Sequence, residues 1–263
     1  MGEFVHVYND GGGIRNANVP NTPLSISGNR KAASNGNAQI FEFEDMVPKI
    51  CPSLTNGTTA AQAGSTVTVT VVTAHGIPSA TYDGWKVWYP GSTNIAAGWY
   101  SNFLYLTANT FSFTASDSKT VASESVNGGV AVTAYVEFYK LTLPGGTLGK
   151  NGRATVNVFK FPDTTANSKG QRIYFGGSVV AANIAVTAAA SGMFRYTFNN
   201  MNSEAKQRGS QGQDGAGSIA PTAIYALTID SSQDQVVSLQ ASISAASGFY
   251  AIQYADLEVK YNA

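Results

Sequence analysis

Apolar and polar residues alternate with a period of two along most of the chain. In the stretch Ile40–Ile50, Phe41 and Phe43 alternate with Glu42 and Glu44, and Pro48 and Pro52 close the run. That spacing predicts a strand with one apolar and one polar face. Val67, Val69 and Val71 alternate with Thr66, Thr68 and Thr70; Trp85, Val87 and Tyr89 alternate with Lys86 and Trp88; Phe111 and Phe113 alternate with Ser112 and Thr114. Gly76, Gly84, Gly91, Gly98 and the pair Gly128-Gly129 punctuate these runs as turns.

The same rule governs the second half. Tyr135, Tyr139 and Leu141 share a parity, and Ala154, Val156 and Val158 alternate with Thr155 and Asn157. Phe194, Tyr196 and Phe198 alternate with Arg195 and Thr197; Tyr225, Leu227 and Ile229 form a further run, as do Val237, Leu239, Ala241 and Ile243. Leu257, Val259 and Tyr261 stand against Asp256, Glu258 and Lys260. The stretch Ala181–Ala190 is rich in alanine, but its Val, Ile and Thr residues favour strand over helix. Asn200–Ala220, rich in Ser, Gly and Gln, is expected to be a long loop.

These patterns predict an all-β protein in four parts. Residues 1–38 form an extended arm, broken at Gly11-Gly12-Gly13 and held from helix by Pro20 and Pro23. Residues 39–59 hold the early strand and a linker, expected to pair into the C-terminal sandwich. Residues 60–133 form a small β module, which that pairing makes an insertion. Residues 134–263 form a jelly-roll-like β-sandwich of roughly eight strands.

Charge changes the picture. Charged residues make up 12% of the chain, against about 25% in typical soluble domains. The 16 basic and 16 acidic residues cancel. A low surface charge removes the repulsion that keeps copies apart, and so points to self-association. No basic stripe is present to displace counterions from a nucleic acid; the nearest approach is Lys206 with Arg208. Met1–Asp10 has neither the basic start nor the apolar stretch of a signal peptide, and no run is long enough to span a bilayer. His6 stands where a myristoylation site needs Ser or Thr. With Cys51 as the one cysteine, no intrachain disulfide forms, which suits synthesis in a reducing cytoplasm.

Catalytic patterns are sparse. His6 and His75 are the two histidines, so a three-histidine zinc site and a thiolate cluster are both excluded. There is no nucleophile elbow, no Walker loop (Gly149-Lys150 runs on to Asn151) and no EF-hand loop. His75, set before Gly76, reads as structural. Glu42 and Glu44, close to Asp45, could serve as paired carboxylates in glycoside cleavage, or simply form a solvated strand face. Asp163 and Asp214 lie in expected loops with no visible partner. No metal, cofactor or catalytic residue is expected. The aromatics Trp85, Trp88, Tyr89, Trp99 and Tyr100 crowd one module. Trp85 and Trp88 differ in parity, so one of them should be exposed or lie at an interface, where it could contact a subunit or stack on a sugar.

Leu141–Arg153 resembles a turn leading into a core strand of bacteriophage virion structural proteins, and Asn167–Gly177 looks like the hairpin that follows. Asp230–Gln235 and the closing strand Tyr254–Val259 fit the same pattern. Separately, Thr73–Ile77, Gly84–Val87, Gly98–Tyr100 and Asn109–Phe113 resemble a small β module of phage tail and fibre proteins. The resemblance implies a non-enzymatic virion component: a tail or fibre subunit involved in assembly and host adsorption, or a capsid decoration or head fibre protein. A polysaccharide-degrading enzyme, resting on paired carboxylates instead, is the third class. Its expected partners are other virion subunits, sister copies in a homotrimer and a host-surface glycan, with neither nucleic acid nor membrane.

Overall fold

The computed structural model describes residues 7–9, 14–16, 30–31, 38–78, 81–127, 135–162, 168–186, 191–213, 224–244 and 248–260, and every regular element among them is a β-strand. Three short strands come first: β1 (Val7–Asn9), β2 (Ile14–Asn16) and β3 (Arg30–Lys31). They are followed by β4 (Ala38–Glu42), β5 (Lys49–Pro52), β6 (Thr59–Thr70), β7 (Lys86–Tyr89), β8 (Gly98–Thr107) and β9 (Thr110–Ser125). The C-terminal half supplies β10 (Val136–Leu143), β11 (Arg153–Pro162), β12 (Ser168–Phe175), β13 (Ser178–Val186) and β14 (Gly192–Asn200). β15 (Gln207–Gln213), β16 (Ile224–Leu227), β17 (Gln235–Ser244) and β18 (Phe249–Lys260) complete the chain.

Two sheets face each other as a sandwich. The smaller has four strands in the order β10-β17-β12-β13. The larger has twelve: it runs β16-β15-β14-β11-β18, then continues through β5, β7, β8 and β9 to β6, with β4 also on β18 and β3 on β4. β4 and β5 share one side of β18, β4 against Asp256–Lys260 and β5 against Phe249–Ile252. β5 in turn runs parallel to β7. β5 is thus the splice through which the large sheet passes from the sandwich into the module.

Burial follows the alternation closely. Val156, Val158, Tyr196, Phe198, Ile173, Val237, Leu239, Leu257 and Val259 fill a core between the two sheets. Val67, Val69, Val71, Val87, Tyr89, Phe111 and Phe113 fill a second core inside the module. Where the two meet, the sheet is covered on both faces. Ile50, Phe249 and Ala251 point into the module core, whereas Cys51, Tyr250 and Ile252 point into the sandwich core. This is why Lys49–Pro52 and Phe249–Ile252 are buried at every position rather than every second one. A bulge in β18 opposite Phe159 and Lys160 then resets the phase, so that Ala255, Leu257 and Val259 face the sandwich core again.

Three expectations need correction. The stretch Ile40–Ile50 is two strands, because the chain leaves β18 after Glu42. Glu44 N–H donates to Lys140 O at 2.8 Å, and Asp45 adopts a left-handed φ of 53°. The expected loop Asn200–Ala220 contains β15, which pairs with both β14 and β16. Its Gln, Arg, Gly and Ser residues hide a strand that is held by polar contacts: the buried Gln207 side chain donates to Asn200 Oδ1 (3.0 Å) and Ile229 O (2.9 Å), and accepts from Ile229 N–H (2.9 Å). A Cβ at Gly209 would collide with Val180 O, so only glycine lets β15 pack against β13. In β10 a bulge at Glu137/Tyr139 turns both Phe138 and Tyr139 inward, where strict alternation places Tyr139 alone. The arm's Gly11-Gly12-Gly13, Pro20 and Pro23, the Gly128-Gly129 turn, residues 187–190, residues 214–223 and Tyr261 lie outside the described residues.

Because the shared strands couple the two cores, Ile50→Ala is expected to lower the stability of the whole chain by about 2–5 kcal/mol. Calorimetry should show one transition shifted down. Two transitions, with only one of them moved, would show that the cores unfold independently.

Candidate functional site

The β7–β8 hairpin divides the five aromatics between its two faces. Trp88 and Trp99 are cross-strand partners on the face toward the sandwich. Their rings meet at 5.5 Å, and Trp99 meets Phe138 at 4.9 Å, both edge to face. Trp99 Nε1–H donates to Glu137 O at 2.9 Å. On the opposite face Tyr89 is fully buried in the module core, against Phe113 at 5.3 Å. Trp85, just before β7, packs edge to face on Tyr82 at 4.8 Å. Tyr100 lies over Phe113 at 4.5 Å, and its hydroxyl donates to Ala96 O at 2.7 Å. The parity difference between Trp85 and Trp88 is realised as attachment to two different cores. Both are half-buried, as are Trp99 and Tyr100.

A buried lysine stands at the seam beside this belt. Lys49 Nζ donates to Phe138 O at 2.6 Å and lies 3.2 Å from Asp45 Oδ2. It also sits 4.3 Å from the Tyr139 ring centre and 5.5 Å from that of Trp99. Burial pushes its pKa below the usual lysine value, with Asp45 acting against the fall. Asp45 also takes two bonds from Lys86 Nζ, at 2.8 and 2.7 Å. Burial acts to raise its pKa, but the two lysines prevail and hold it below the ordinary aspartate value. One carboxylate therefore links β5, β7 and, through Lys49, β10.

A second buried polar group lies between the sheets. Tyr196 and Tyr250 both donate to Gln171 Oε1, at 2.8 and 3.0 Å. Gln171 Nε2 is buried without a hydrogen-bond partner among the described residues. Lys160 and Lys169 are buried nearby. Lys160 Nζ lies 3.6 Å from the centre of the Phe194 ring and 5.7 Å from that of Tyr250. Burial, assisted by the charge of Lys169, brings the Lys160 pKa down to about 7. Neither Lys49 nor Lys160 was singled out from sequence. The signal was there for Lys160, which continues the inward series Ala154, Val156, Val158 at the same parity.

The acidic residues fall differently from the sequence pattern. Glu42 is set directly opposite Asp256 across β4 and β18, and Glu44 lies beyond the strand. Asp256 accepts from Asn157 Nδ2 at 2.6 Å and from the Tyr254 hydroxyl. His75 is buried: its Nε2 is 3.0 Å from Thr107 O, while Nδ1 accepts from Ile77 N–H at 3.1 Å. These partners fix the neutral Nε2–H tautomer, and burial lowers its pKa. Cys51 is buried and its thiol is pushed up to about 12, so it stays a protonated packing group. Among the described residues no three His, Cys, Asp or Glu side chains gather as a metal site. Asp163 and Asp214 lie outside the described residues.

The chain matches no protein-family model, no curated protein and no solved structure. Its fold defines an all-β protein in which one continuous sheet serves two apolar cores.

Lys160 sets a measurable pH dependence. The unfolded chain holds this proton up to about 10.5, the folded chain only to about 7. Its contribution to stability therefore rises with pH between those values and is lost as pH falls toward 7. Lys160→Met should raise the unfolding free energy at pH 7 by roughly 1–4 kcal/mol. In urea titrations its advantage over the wild type should narrow at pH 9.

Proposed function

We propose that this chain is a structural subunit of a bacteriophage virion, built into the tail or a fibre, where it assembles with other virion subunits and takes part in adsorption to a host-surface glycan. The observation that carries the reading is a low charge content, 12% of residues, in a chain built on a twelve-stranded sheet. Such a composition favours burial against neighbours over a free existence in solution. The resemblance of Leu141–Arg153, Asn167–Gly177 and the module segments to virion proteins supports the same assignment. Synthesis in the host cytoplasm is followed by incorporation into the particle. A homotrimer is placed first among assemblies, since fibres and decorations commonly use three-fold symmetry. The aromatic belt serves chiefly as packing between the cores, because its rings meet one another edge to face. Sugar contact falls to the exposed parts of Trp85, Trp88, Trp99 and Tyr100.

Imaging of intact particles with the subunit labelled tests the assignment. Label on the tail or fibre is the expected result, label over the capsid shell would make it a decoration protein, and absence from the particle would refute it. A glycan array should show binding that weakens on Trp85→Ala.

One arrangement favours a second reading, a polysaccharide-degrading enzyme. Side chains directly opposite on antiparallel strands start about 4.5–5.5 Å apart at Cβ, near enough for two carboxyl groups to flank one glycosidic bond. Glu42 and Asp256 are such a pair. On that reading, reducing sugar is released from host capsule by the wild type and not by the double variant Glu42→Gln with Asp256→Asn.

A further inference from the structure

β6 ends the large sheet. It pairs with β9 on one side, and no strand pairs with its other side among the described residues. Val71 N–H donates to Asn109 O at 2.8 Å, which fixes the phase of the backbone. The main-chain groups of Val67, Val69 and Val71 turn toward β9, and those of Thr66, Thr68 and Thr70, one residue out of step, turn to the open side. The valine side chains fill the module core, whereas Thr66 and Thr70 are exposed and Thr68 is half-buried. Among the described residues, the open edge is thus a row of N–H and C=O groups that no strand pairs, flanked by threonines.

Edges of this kind are normally blunted by lysine, proline or bulges. The outer strand of the small sheet, β10, follows that rule with Glu137 and Lys140. β6 does not. From Ile50 through Tyr82 the chain has no charged residue, and β6 has no proline. Register shifts at Ala60/Gln62 and Gly64/Thr66 interrupt the first half of the strand and leave Thr66–Thr70 regular. Val72, just beyond the strand, is 66% exposed, the most exposed large apolar side chain among the described residues.

We infer that Thr66–Thr70 is a self-association edge, where two copies of the chain join antiparallel about a two-fold axis at Thr68 and continue the large sheet from one copy into the other. In that register Thr68 lies opposite Thr68 of the second copy, and Thr66 lies opposite Thr70. Two-fold symmetry makes a residue on the axis meet its own kind, so a charge there would face itself. The absence of charge over the whole segment is the composition that tolerates this. Threonine opposite threonine is a favourable cross-strand pair. The contact is independent of the virion reading, and its test measures assembly alone. Combined with a three-fold contact elsewhere, it would join six copies.

Sedimentation velocity of the full chain at micromolar concentration tests the inference. Thr68→Lys should halve the mass of the wild-type assembly, because two ammonium groups then face each other, and Thr68→Glu should do the same. Equal parts of the two variants, mixed, should recover the wild-type mass, as lysine then faces glutamate. Thr114→Lys adds the same charge on β9, one strand inside the edge and off the two-fold axis, and should leave the mass unchanged. Circular dichroism should show all three variants folded. The inference is overturned if the wild type sediments as a single copy, if either charged Thr68 variant assembles like the wild type, or if the mixture fails to recover. Equal loss in Thr114→Lys would also overturn it.

Discussion

The rest of the structure depends on a short stretch of sheet covered on both faces. β5 and the first four residues of β18 lie between two apolar cores, with Ile50, Phe249 and Ala251 on one side and Cys51, Tyr250 and Ile252 on the other. Burying both faces of a strand removes more apolar surface from water than burying one, and each such residue adds to the packing of its own core. The same stretch fixes where the module sits, because β7 hydrogen-bonds directly to β5. A loop between the two units would have left their orientation free. A shared strand does not.

The polar groups at this junction follow from the same constraint. A chain that enters and leaves the doubly covered stretch brings Lys49 with it, and a buried ammonium has to be paired. Asp45 and Phe138 O supply the pairing, with the rings of Tyr139 and Trp99 around the cation. The aromatic belt and the lysine thus form one seam, in which Trp88 and Trp99 close the space between hairpin and sandwich. Lys160 stands in contrast: it has a ring face beside it, and its lowered pKa is the consequence of burial.

Outside the cores, the large sheet presents threonine, serine and asparagine interspersed with Glu42, Arg153, Arg195, Glu258 and Lys260, and β6 is its end strand. On the proposed reading, the chain meets its neighbours through this exterior. A contact made at β6 would be continuous with β18 through β9, β8, β7 and β5.

Strand positions and inward residues were legible in the chain itself, because a two-residue period is a local property. Val67, Val69, Phe111, Phe113, Val156, Phe198 and Leu239 all face inward as alternation requires. The sequence was silent wherever a residue's role depends on a partner distant in the chain. β15 looked like a loop, since its polar side chains become favourable only when Asn200 and Ile229 receive Gln207. Glu42 seemed paired with Glu44, but strand register set it opposite Asp256. Alternation told that Trp85 and Trp88 face opposite ways; only the meeting of two cores on one sheet decided what each would face. Period is written residue by residue along the backbone, whereas register, splicing and charge pairing arise when strands far apart in sequence share hydrogen bonds.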